Sequence, residues 1–193
     1  MQPLGYYYPP PPTPPARLKR RFLALPYLGM HSYQDRLAEL YGPGLRFGTL
    51  MGVRTSDRFS LNGELTFNFS NVSGEVSNFR EYSVDLAVAP LFQMPAGPIE
   101  IAVGPKLGFF IIDTENPAAG VGTSFSQNGI VMGVNTGIFV PVSATTSMGA
   151  LLAFELRRTY QVCYNDSIGN ESCMSVSGAD FVSLVGLTAA VLF

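Results

Sequence analysis

The stretch Phe59–Ser70 constrains the fold more than any other part of the chain, because apolar and polar residues alternate along it. Phe59, Leu61, Leu65, Phe67 and Phe69 share one parity, and Ser60, Asn62, Glu64, Thr66, Asn68 and Ser70 share the other. Successive side chains of an extended strand project to opposite faces, so the segment reads as a strand with one apolar and one polar face. It leaves open which face meets protein, which meets water, and whether a third solvent takes part.

The same period returns along the chain. Leu45, Phe47, Thr49, Met51 and Val53 alternate with Arg46, Gly48, Leu50, Gly52 and Arg54, and Tyr82, Val84, Leu86, Val88, Pro90 and Phe92 alternate with Ser83, Asp85, Ala87, Ala89 and Leu91. Further alternating runs cover Ile99–Ile112, Ile130–Val140, Met148–Gln161 and Phe181–Phe193, and a weaker one covers Phe22–Tyr33. Eight strands follow, each near or slightly above the roughly 9 to 11 residues with which a tilted strand crosses a bilayer. The connections near Ser56, Ala96 and Ala144 are short, whereas those after the first, third, fifth and seventh strands are long and polar. Loops sorted by parity predict an up-and-down barrel with short turns and both chain ends on one rim. A sandwich or Greek key has no reason to sort them so.

Composition identifies the solvent. Hydrophobic residues make up 47% of the chain and charged residues 13%, against roughly 25% charge in soluble domains. No run approaches the ~20 apolar residues of a membrane-spanning helix. A net charge of −2 argues against a nucleic-acid partner. The expected fold is therefore all-β: an eight-stranded antiparallel up-and-down transmembrane β-barrel over residues 21–193, behind a Pro-rich N-terminal tail over residues 1–20. Tyr6-Tyr7-Tyr8 and Pro9–Pro15 give that tail an extended polyproline character. Arg17, Lys19, Arg20 and Arg21 suit either anionic head groups or a solvated boundary. Phe22–Met30 is not read as a signal peptide, since Pro26 interrupts it and no small-x-small cleavage site follows. A signal peptide is expected to be missing from the chain as it stands.

The two faces differ in charge. Arg46, Arg54, Glu64, Asp85, Glu100, Lys106, Glu155 and Arg157 share one face with many glycines, which suits a narrow interior, while the other face is nearly uncharged apart from Arg158. The charged face is assigned to the lumen, where opposite charges satisfy one another, and the uncharged face to lipid. A turn centred near Ala96 places Asp85 opposite Lys106, and these two are predicted to pair. Phe59, Tyr82, Phe92 and Tyr160 fall where an interfacial aromatic girdle belongs, with Phe193 at the turn end. Cys163 and Cys173 lie close together in a polar stretch lacking other ligands, which favours a disulfide in an oxidising compartment over a metal site. Loops are expected around Asp113–Gln127 and Tyr164–Gly178, where Asn165, Asp166, Asn170 and Glu171 are either solvated or in contact with a cation or partner. Gly120–Ser124 is not a phosphate loop, because no Lys follows in the required place.

Taken together, these residues resemble the small outer-membrane β-barrel proteins of Gram-negative bacteria, in the eight-stranded class that includes OmpA and OmpX. Tyr27-Leu28-Gly29, Gly44–Gly48, Val103–Gly108 and Gly133–Gly137 are similar to segments of a predicted outer-membrane barrel family. Val182–Phe193, closing on an aromatic residue, looks like the signal by which the barrel-assembly machinery recognises its clients. The resemblance implies a cell-envelope monomer in outer-membrane lipid with periplasmic termini, no cofactor or metal, no catalytic residue, and an unidentified extracellular partner for the surface loops. Three other readings stand beside it. A soluble lipocalin-like barrel would reverse the two faces around an apolar ligand. A lipid-modifying enzyme would have to use His31, the single histidine. A narrow pore is opposed by an interior that eight strands leave just wide enough for side chains to fill.

Overall fold

The computed structural model describes residues 22–34, 42–56, 58–71, 80–115, 124–143, 145–165, 170–176 and 182–193; the Pro-rich tail lies outside them. Among the described residues every regular element is a strand: β1 (Phe22–Tyr33), β2 (Gly44–Ser56), β3 (Phe59–Asn71), β4 (Arg80–Val88), β5 (Leu91–Ala96), β6 (Ile99–Glu115), β7 (Ser124–Pro141), β8 (Ser147–Asn165), β9 (Glu171–Ser175) and β10 (Val182–Leu192). β4 and β5 are two lengths of one stave, since both pair with β3 and β6 in a single register. The interruption falls at Ala89-Pro90, because proline has no N–H to give to the ladder. β10 pairs with β8 on one side and β1 on the other, which closes eight staves into a ring.

The short connections gather on one rim. Arg58 turns β2 into β3, and Gly97-Pro98 turns β5 into β6. Gly97 has φ 65°, the sign that the favoured two-residue hairpin turns require at their first central position. At the β7–β8 turn, Val142 N–H and Ser143 N–H both donate to the Thr146 carbonyl. The other rim is taller than the sequence suggests. β6 runs to Glu115, β7 starts at Ser124, and β8 and β9 form a hairpin through residues expected to be loop. Polar composition ends the lipid-facing stretch but not the ladder, because backbone pairing continues in water.

Burial is inside out. On β3 the polar row Ser60, Asn62, Glu64, Thr66, Asn68 and Ser70 is buried, while Leu61 is exposed and Phe59, Leu65, Phe67 and Phe69 are half-buried. Leu28, Met30, Leu86, Leu107, Phe109, Ile111 and Leu187 are likewise exposed. The outward row from Phe59 to Phe69 runs about 33 Å along the strand at roughly 3.3 Å per residue. At the ~40° tilt usual in such barrels this makes a belt about 25 Å tall, matching the apolar band of outer-membrane barrels.

The interior is layered. Near the turns, Leu23, Leu25, Leu50, Leu91, Phe139, Leu151 and Leu192 pack into a dry floor. Polar and charged side chains fill the middle, and Phe110, Ile112 and Val131 pack above them. The sequence reading closes the lumen with charged pairs alone. The structure adds this apolar floor, built from inward positions whose residues are aliphatic or aromatic.

Candidate functional site

Six charged residues occupy the middle of the barrel, each at 2% exposure or less: Arg46, Glu64, Asp85, Lys106, Glu155 and Arg157. Three are cations and three anions, so the layer is neutral, and each ion pairs with at least one other member. Lys106 Nζ lies 2.7 Å from Glu155 Oε1 and 3.2 Å from Glu64 Oε1. Arg157 Nη2 lies 2.6 Å from Asp85 Oδ2 and 3.2 Å from Glu155 Oε2. Arg46 pairs with Glu155 and lies 3.7 Å from Glu64. Glu155 thus receives all three cations. Neutral partners add further bonds: Asn135 Nδ2 donates to Glu64 Oε2 at 2.8 Å, Tyr27 O–H to Glu64 Oε1 at 2.9 Å, and Asn68 Nδ2 to Ser83 Oγ and Asp85 Oδ2 at 3.0 and 3.3 Å.

Inward glycines let these bonds form. Lys106 and Glu155 are both register partners of Gly133, on strands either side of it, so their bond crosses β7 over the one residue that has no side chain in the way. Tyr27 and Thr66 meet in the same manner across Gly48. At Gly44, a Cβ would stand 2.5 Å from both His31 Cε1 and Ser70 Oγ, which are joined above it.

The predicted Asp85–Lys106 pair does not form. Asp85 lies opposite Phe110, and its cation is Arg157, from β8 across the lumen. The hairpin turns at Gly97-Pro98 rather than around Ala96, and moving the centre by two residues moves every partner by four. The other two charges predicted for the inward face, Arg54 and Glu100, sit towards the turn rim. They are 3.4 Å apart, with side chains 15% and 23% exposed, and Arg54 also bonds Gln93.

Above the charged layer, Tyr33 O–H donates to the buried Glu81 carboxylate, and the Arg157 guanidinium lies 5.4 Å from the Phe110 ring centre. Tyr27, Tyr33, Asn68, Ser83 and Asn135 also belong to the interior network, yet charge does not select them, inward parity does; Glu81, charged and of inward parity, joins them outside the eight expected lumen charges. His31 is buried on β1, with Nε2 2.8 Å from Ser70 Oγ. No carboxylate among the described residues orients the imidazole as a triad requires.

Outside, the aromatic residues occupy two depths. Phe59 and Phe92 lie 4.9 Å apart near the turn rim, where Phe193 is half exposed. Tyr82 packs edge-on to Phe69 at 5.4 Å near the other rim, and Tyr160 is exposed with the Arg158 guanidinium 5.8 Å from its ring centre. Cys163 and Cys173 are register partners on β8 and β9 and are joined as a disulfide. Glu171 lies beside them, but oxidised sulfurs offer no thiolate to a metal. Asn165 and Glu171 pair across the same hairpin, whereas Asp166 lies outside the described residues.

No family model matches the chain, and no curated protein matches it in sequence. Solved structures match its fold. Neisserial surface protein A superposes with TM-score 0.61 at 16% identity, over 90% of this chain and 96% of that one. The outer membrane protein OprG from Pseudomonas aeruginosa gives 0.56 at 8% identity, over 88% and 95%. A major outer membrane protein from Thermus thermophilus gives 0.52 at 16% identity, over 88% and 99%. The fold is that of the outer-membrane β-barrel class, and these neighbours are bacterial outer-membrane proteins.

Proposed function

We propose that this chain is a non-enzymatic, monomeric protein of the bacterial outer membrane that works at the cell surface through its long-loop rim. The carrying observation is the reversal of burial on β3, where Glu64 and its polar neighbours are sealed inside and the apolar row faces out. A lipocalin-like barrel requires the opposite arrangement. Conduction is opposed by the floor of Leu25, Leu50, Phe139 and Leu151 beneath a self-neutralised charge layer. A hydrolytic role for His31 is opposed by its burial and by its hydrogen bond to Ser70, with no carboxylate bonded to the imidazole among the described residues. The short turns and both chain ends face the periplasm in this reading, and Phe193 serves the barrel-assembly machinery. The described part of the surface platform is the β8–β9 hairpin, every residue of β9 being exposed and its register locked by the Cys163–Cys173 bridge.

Gel mobility of unboiled against boiled protein tests the membrane reading: a folded barrel runs faster before boiling. A detergent-free soluble monomer without that shift would reject it. Protease applied to intact cells tests orientation, with cleavage expected only on the long-loop side and the short turns at Arg58 and Gly97-Pro98 protected.

A further inference from the structure

The Cys163–Cys173 bridge has a third group beside it. Glu171 lies two residues before Cys173, so both side chains project from one face of β9, and Cys163 faces Cys173 across the ladder. The two sulfurs and a Glu171 carboxylate oxygen all lie within 4.8 Å of one another. Glu171 Oε1 is 3.6 Å from Cys173 Sγ, yet a bridged sulfur has no proton to donate, and among the described residues the carboxylate meets no cation. It is thus aimed at the sulfurs with neither a donor nor a charge to hold it there.

We propose that opening the bridge converts this end of the hairpin into a Zn²⁺ site, with two thiolates and the Glu171 carboxylate as ligands. The donor set and its spacing carry the inference. Two sulfurs suit a borderline-soft cation, whereas Ca²⁺ and Mg²⁺ take oxygen ligands. With bonds of about 2.3 Å to sulfur and 2.0 to 2.2 Å to oxygen, a tetrahedral Zn²⁺ holds S and O about 3.5 to 3.6 Å apart. Cys173 and Glu171 already stand at that separation. The same ion holds two sulfurs about 3.8 Å apart, which is within reach of residues directly opposed on a ladder, whose Cβ atoms are about 4.5 to 5.5 Å apart.

An external low-molecular-weight thiol supplies the electrons. Two molecules of it reduce the bridge to two cysteine thiols and leave as their own disulfide. Zn²⁺ then displaces both thiol protons to solvent and forms two Zn–S bonds and one Zn–O bond, with water in the fourth position. Cys173 is exposed, which opens the bridge to thiolate attack. Opening it leaves the barrel closed, because the ring is completed by β8 and β10 below the hairpin. The hairpin therefore exchanges a covalent clasp for a metal clasp, whichever side of the membrane it meets.

The test uses the full chain folded in neutral detergent and checked by heat-dependent mobility. Oxidised protein, and protein reduced with dithiothreitol and then freed of reductant under anaerobic conditions, are each given Zn²⁺ and weighed by native mass spectrometry. The reduced barrel is expected to hold one Zn²⁺ and the oxidised barrel none, and bound Zn²⁺ should protect both cysteines from iodoacetamide. Glu171→Gln should weaken binding about tenfold or more, since losing even a group that only supports a metal ligand costs about 10- to 100-fold. Asp113→Asn, on the same rim but on β6, should bind like the wild type. Four results would overturn the site: equal uptake or none in both redox states, uptake that survives replacement of both cysteines by serine, unchanged affinity in Glu171→Gln, or displacement of Zn²⁺ by Ca²⁺ at equal concentration.

Discussion

Replacing Glu155 by glutamine should destabilise the barrel by about 3 to 5 kcal/mol, the cost of leaving a buried charge uncompensated. Glu155 is wholly buried and takes Lys106 on Oε1 at 2.7 Å, Arg157 on Oε2 at 3.2 Å, and Arg46 as a third cation. At an effective dielectric constant of about 20, a pair at 2.7 Å is worth about 6 kcal/mol gross and one at 3.2 Å about 5. Most of this offsets the desolvation of the ions, and glutamine still accepts one hydrogen bond. What the substitution creates is a charge imbalance in the layer: three cations would then face only Glu64 and Asp85. Adding Lys106→Met restores equal numbers, so the double variant should recover at least about 1 to 2 kcal/mol relative to Glu155→Gln. Glu100→Gln, at the partly exposed rim pair with Arg54, should cost under about 1 kcal/mol. The chain has no Trp, so urea titration in lipid vesicles is best read from the fraction of unboiled protein that keeps the mobility of the folded barrel. A Glu155→Gln loss under about 1 kcal/mol, or a double variant no more stable than the single one, would refute the account of the charged layer.

Gly133→Ala should cost about 1 to 3 kcal/mol in the same titration, since the added Cβ would stand 2.2 Å from the Phe154 carbonyl oxygen and lie under the Lys106–Glu155 bond. Gly63→Ala, on the lipid side with its nearest neighbour at 3.9 Å, should be neutral or stabilising by up to about 1 kcal/mol. Reducing the Cys163–Cys173 bridge should open the β8–β9 hairpin to limited proteolysis yet leave heat-dependent mobility intact, because the ring closes through β10 below it. Vesicles containing the barrel should not swell in isotonic small sugars, given the floor around Phe139 and Leu151; swelling at the rate of an open porin would contradict it.

The alternation on β3, the parity of the connections and the uncharged outer face suffice to read the fold, because each is a local property of a strand in a closed antiparallel barrel. Strand ends are less legible. Glu115, Ser124 and Asn165 look like loop residues, yet backbone pairing carries β6, β7 and β8 through them. Inward parity marks Tyr27, Tyr33, Glu81 and Asn135 as interior positions, but nothing local says that Tyr33 reaches Glu81 on another stave.

Partner choice inside the lumen is the least local property of all. The Asp85–Lys106 expectation depends on the centre of one turn, and Met94-Pro95-Ala96-Gly97-Pro98 offers turn-forming residues at neighbouring centres. Even the correct centre pairs Asp85 with Phe110, not with its cation. Arg157 reaches Asp85 across the lumen from β8, so that contact exists only once the ring is closed with a particular strand number and stagger. The charge layer therefore acts as a check on closure: a barrel that closed with one strand slipped by two residues would keep every parity and every apolar outward row, yet would separate Glu155 from at least one of its three cations. Glu155→Gln consequently probes more than local stability. If the network specifies register, the variant should also refold more slowly or through a larger misfolded fraction, whereas Glu100→Gln should refold like the wild type; equal refolding yields for the two would confine the network to stability alone.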